Sequence, residues 1–137
     1  MKIFSAALVF LPVFASPSFG AVPPDVVSVT SGGYWDDGEK SGTYRVVISN
    51  KGFEHITSTL LIEWIADPAD RDGSPVVAGS VEPSLPFGQG VSNLRATLSV
   101  IEPNHVEVKV LGTMASDLDH EVSATIYARS PNEVEVK

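Results

Sequence analysis

The chain has 137 residues, 43% of them hydrophobic and 19% charged, a formal net charge of −8, and no cysteine. That length is room for one domain, and without cysteine there is no disulfide, no thiolate chemistry and no lipid-attachment thiol. So acidic a chain is a poor partner for nucleic acid or an anionic membrane surface, where Lys and Arg must neutralise phosphates, and neither is expected.

Met1-Lys2 is a short basic start, and Ile3 to Phe14 is an apolar run of the length of a signal h-region. Ser18-Phe19-Gly20 supplies small residues at the −3 and −1 positions of a cleavage site, with Val13-Phe14-Ala15 as a second candidate. The run is well short of the ~20 apolar residues of a spanning helix. A cleavable signal peptide is therefore expected over residues 1–20 and a single domain over 21–137, periplasmic or secreted, with no transmembrane segment after cleavage. No N-x-[ST] sequon occurs.

After the stiff Pro23-Pro24 lead-in, Val26 to Thr30 reads as a β-branched strand. Ser31-Gly32-Gly33 should bulge or break it before Tyr34-Trp35, and Asp36 to Gly42 is turn chemistry. A hairpin follows, with Thr43–Ser49 and Ile56–Ala66 as arms and Asn50-Lys51-Gly52 as a three-residue connection closed by a glycine bulge. Its alternation puts Tyr44, Val46, Ile48, Leu60, Ile62 and Trp64 on one inward face. Asp67 to Ser74 reads as a loop, Val76 to Val81 as a weaker strand, and Glu82 to Gly90 as irregular. Leu94, Ala96, Leu98 and Val100 alternate with polar residues, as do Val106, Val108 and Val110 beyond the Glu102-Pro103-Asn104 turn. Gly112 to Asp119 is a loop or at most one helical turn over Met114–Leu118. Val122, Ala124, Ile126 and Ala128 mark the next strand, which Pro131 interrupts before a charged tail that could pair at an edge.

About seven strands with turn signals between them predict an all-β fold, an antiparallel sandwich that resembles the immunoglobulin-like architecture. A closed barrel is the alternative. Arg45, Arg95, Lys109 and Arg129 have the parity opposite to their strands' aliphatics and should face solvent, with Glu63 or Glu107 beside them.

If successive strands reverse direction, the Asp36–Gly42, Asp67–Ser74 and Glu102–Asn104 connections share one end. There Tyr34, Trp35, Asp36 and Asp37 form a candidate binding site, since aromatic rings beside carboxylates suit stacking and hydrogen bonding to a sugar. Asp67, Asp70 and Asp72 are candidate metal ligands, because hard cations take several oxygens. They do not match an EF-hand, with Pro68 at its first position and Gly79 in place of its last Glu. A calcium ion shared between loops is the one cofactor left open. The three histidines lack the spacing of a zinc site. No G-x-S-x-G elbow is present. Val47, Leu61 and Ile65 fall on the hairpin's outer face as a candidate interface or dimer seam.

The expectation is an exported, non-catalytic binding or protein-interaction module whose partner is another envelope or extracellular protein. A calcium- or carbohydrate-binding module and a small hydrolase are the alternatives.

Overall fold

The computed structural model describes residues 22–88 and 90–137, and these described residues form eight strands and no helix. They are β1 (Val26–Asp36), β2 (Ser41–Lys51), β3 (Thr57–Ala66), β4 (Val76–Val81), β5 (Val91–Glu102), β6 (His105–Met114), β7 (Asp117–Ser130) and β8 (Glu133–Val136). Two four-stranded antiparallel sheets result, ordered β1-β2-β3-β4 and β5-β6-β7-β8. The leader expected over residues 1–20 lies outside the described residues.

Each sheet is a simple meander. Within each sheet every strand pairs with its sequence neighbours, and among the described strands the chain passes from one sheet to the other only between β4 and β5. The immunoglobulin arrangement instead interleaves the two sheets along the chain, so the likeness is to a two-sheet architecture and not to that strand order. Nor, among the described residues, do the sheets merge into the single closed sheet of a barrel.

Alternation sets the core. In the β2–β3 ladder Tyr44 lies opposite Trp64, Val46 opposite Ile62 and Ile48 opposite Leu60, and all six side chains are buried. Val106, Val108, Val110, Ile126 and Ala128 answer from the second sheet. Strand β5 approaches β1, β2 and β3, so it runs across the inner face of the first sheet. Tyr44 and Trp64 meet edge to face, with ring centroids 5.8 Å apart. The Tyr44 hydroxyl is fully buried and meets no hydrogen-bonding partner among the described residues. Burial also pushes its phenol above the ordinary value of 10.0, because an apolar surround disfavours the charged form.

Two connections differ from expectation. The β2–β3 hairpin closes through five residues, 52–56, and not through Asn50-Lys51-Gly52. Asn50 and Lys51 stay in the ladder opposite Ser58 and Thr57, and the Ser58 hydroxyl donates to Asn50 Oδ1 at 2.7 Å. No helical turn forms over Met114–Leu118. Strands β6 and β7 remain paired as far as Met114 and Asp117, leaving only Ala115-Ser116 between them, and the Ala115 N–H donates to the Gly90 carbonyl at 2.7 Å. The tail pairs with β7 as β8. Glu63 has the outward parity expected of it but is nearly buried, because Arg45 lies across it with Nε 2.5 Å from Oε2.

Two substitutions separate packing from polarity in this core. Trp64→Ala should lower unfolding free energy by about 3–5 kcal/mol, through lost contacts and a cavity. Tyr44→Phe removes a buried donor without a partner and should raise it by about 1 kcal/mol. Urea unfolding followed by circular dichroism measures both.

Candidate functional site

The site begins with a break in alternation. Gly32 lies opposite Tyr44 and Trp35 opposite Gly42, so three steps on β1 span two on β2 and one residue bulges. Gly33 sits there at φ 70°, where a Cβ would stand 2.8 Å from Val100 Cγ2. Before the bulge, Ser28, Thr30 and Gly32 lie opposite the inward residues Ile48, Val46 and Tyr44. After it the phase is reversed. Trp35 turns inward at 5% exposure and donates from Nε1 to the Thr43 carbonyl at 3.0 Å, while Tyr34 turns outward.

Beyond Trp35 the chain turns tightly. Asp36 Oδ1 accepts the Gly38 N–H at 2.8 Å, and Asp37 Oδ1 accepts those of Lys40 and Glu39 at 2.7 and 2.9 Å. The Lys40 and then the Glu39 amide favour the ionised form and hold the Asp37 carboxyl below its ordinary 3.8.

The β5–β6 turn reaches this strand end from the other sheet. Pro103 precedes Asn104, which has φ 59°, an order suited to a type II turn. The Asn104 amide accepts the Asp36 N–H and donates to the Asp36 carbonyl, each at 2.8 Å. One side chain thus satisfies both main-chain groups of Asp36, as a paired strand would.

A cavity of about 190 Å³ lies beside this clamp. Trp35, Trp64 and Pro131 give it apolar surface, and Asp36, Asp37, Asn104 and Arg129 give it polar surface. Strand β4 contributes Ala78, the residue bulged out opposite the Trp64–Ile65 step, and Gly79. Gly79 is small for a reason, since a Cβ there would come within 2.6 Å of Pro131 Cγ. The Arg129 guanidinium is already engaged, 3.4 Å from Glu102 Oε2 and 3.7 Å from Glu133 Oε1.

Of the four residues expected to bind, the structure gathers Trp35, Asp36 and Asp37 around one cavity, and Tyr34 stands outside it with its hydroxyl 3.5 Å from Asp36 Oδ2. The Asp67–Ser74 loop is at the same end, since the Asp67 N–H donates to the Ser41 carbonyl at 2.8 Å. Asp67, Asp70 and Asp72 are all exposed, and among the described residues no three His, Asp or Glu side chains are grouped to hold a metal ion. On the outer face Val47 lies between Val29 and Leu61 in one apolar row. Ile65 is set apart, opposite Val77 and beyond the Arg45–Glu63 pair.

A larger groove, about 500 Å³, runs over the outer face of the second sheet past His105, Tyr127 and Lys137. Its charges have partners: Lys137 Nζ is 3.3 Å from Glu135 Oε1 and 5.2 Å from the Tyr127 ring centre. The smaller cavity is the better candidate because its carboxylates, Asp36 and Asp37, accept from turn amides and among the described residues pair with no basic side chain, whereas Glu133 and Glu135 of the groove each face one. Asn104, Arg129 and Pro131 were not legible as members of it. Asn104 comes from the β5–β6 turn and Arg129 and Pro131 from the β7–β8 corner, and no spacing in the chain links them to Trp35. No family model, curated protein or solved structure matches this chain.

Asn104→Gly keeps the backbone angle and removes only the amide, and should lower stability by about 1–2 kcal/mol in a thermal melt. Asp37 has a depressed pKa when folded, so its contribution is complete above the unfolded value and fades as pH falls through the folded one. Acid titration below about pH 4 should therefore destabilise the wild type more steeply than Asp37→Asn.

Proposed function

We propose that the protein is an exported, non-catalytic interaction module that holds another envelope or extracellular protein at the end where Trp35, Asp36, Asp37 and Asn104 meet. The cavity carries this reading. At about 190 Å³ it is smaller than the ~300–1,000 Å³ pockets of small-molecule sites, but an apolar void of about 150 Å³ accepts benzene. It therefore has the size of one side chain. Anchoring a single partner side chain in a small pocket with a polar rim is how many protein interfaces concentrate their affinity. The leader-like residues 1–20 supply the export part of the reading.

A sugar-stacking platform draws less support, since stacking needs an open ring face and Trp35 is almost wholly covered. The test is affinity capture from an envelope extract with wild type, Ala78→Trp and Leu61→Glu. Ala78 is exposed at the cavity, so tryptophan there should fill it without disturbing the core. The expected result is a partner lost with Ala78→Trp and retained with Leu61→Glu, at unchanged melting temperatures. Capture that is indifferent to Ala78→Trp would remove the proposal.

A further inference from the structure

We propose that the cavity receives a basic side chain, lysine or arginine, of the partner polypeptide. This rests on reading the cavity as the contact site and goes on to name the chemistry of its occupant.

The rim carboxylates are the first reason. Asp36 and Asp37 each commit Oδ1 to turn amides. Among the described residues Asp37 Oδ2 has no hydrogen-bonding partner, and Asp36 Oδ2 has only the Tyr34 hydroxyl at 3.5 Å. Both carboxylates are thus oriented in advance, each with an oxygen left to accept. An acceptor already fixed in place loses little further freedom on binding.

The lining is the second. Trp35, Trp64 and Pro131 suit the methylene stem of Lys or Arg, whose charged head then reaches the rim. The basic groups beside this rim, Arg129 and Lys40, are outnumbered by the carboxylates of Asp36, Asp37, Glu102 and Glu133.

Charge complementarity excludes the other occupants. An acidic side chain meets Asp36 and Asp37 on a chain of net charge −8. A neutral aromatic could fill the apolar part, yet it would cover carboxylate oxygens and give them no donor. The field of the whole chain further favours approach of a basic segment.

Trp35 and Trp64 are the only tryptophans in the chain, and both line the cavity, so intrinsic fluorescence reads the site directly. The probes are n-butylammonium, n-propylguanidinium, n-butanol and butyrate, titrated at low ionic strength. The two cations should change the emission saturably where butanol and butyrate do not, and added salt should weaken them. Asp36→Asn with Asp37→Asn retains each Oδ1 for the turn and should weaken cation binding about tenfold. Glu54→Gln with Glu121→Gln alters net charge equally at the opposite end and should leave it unchanged. If butanol is as effective as butylammonium, or if salt has no influence, the basic occupant is wrong while the cavity stands as a contact site. If no probe acts on the wild type, the cavity reading and this inference fall together. Probe selectivity and salt dependence are read on the wild type, so they decide the matter even if the double variant does not fold.

Discussion

One inserted residue in β1 governs the functional end of this protein. A strand that keeps strict alternation commits every second side chain to the same face, and β1 enters the sheet with Ser28 and Thr30 on the inner side. Left unbroken, that pattern would turn Trp35 outward. The bulge at Gly33 reverses the phase, which only a residue tolerant of φ 70° next to Val100 and Tyr44 can do. Trp35 then enters the core edge, Tyr34 leaves it, and Asp36 arrives where Asn104 can clamp it.

The cavity beside that clamp is a product of both sheets. The first gives the tryptophans and the carboxylates; the second gives Asn104, Arg129 and Pro131. The Asn104 amide ties the two by substituting for a strand neighbour that Asp36 lacks on that side. A rim held by turn amides on one side and a side-chain amide on the other has little freedom to rearrange. Such fixed acceptors suit recognition of a charged group better than adaptation to many shapes. The outer face of the first sheet is organised differently, with its aliphatic row interrupted by Arg45 and Glu63.

Much of this was legible along the chain. Tyr44, Val46, Ile48, Leu60, Ile62 and Trp64 declared the inner face by period two, and Val106, Val108 and Val110 did the same for the second sheet. Ser31-Gly32-Gly33 marked a bulge, Glu102 to Asn104 marked a turn, and strand reversal put the Asp36, Asp67 and Asn104 connections at one end. The errors lay where pairing outlasts local turn chemistry. Asn50 and Lys51 have turn composition but remain in the ladder because Ser58 and Thr57 face them. The same continuation of pairing consumed the segment read as a loop or helical turn near Met114.

The sequence by itself determined the all-β character, the inner faces of the central strands and the clustering of acidic connections at one end. These follow from periodicity and turn propensity, which act between residues close in the chain. Tertiary structure alone decided that the sheets are two sequential meanders, that Glu63 is covered by Arg45, and that Trp35 shares a cavity with Asn104, Arg129 and Pro131. Arg45 and Glu63 stand 18 positions apart in the chain, and Asp36 and the Asn104 that clamps it beside Trp35 stand 68 apart. Such relations exist only once the strands are paired and the two sheets packed face to face, because burial and hydrogen bonding depend on distance in space and no local pattern encodes it.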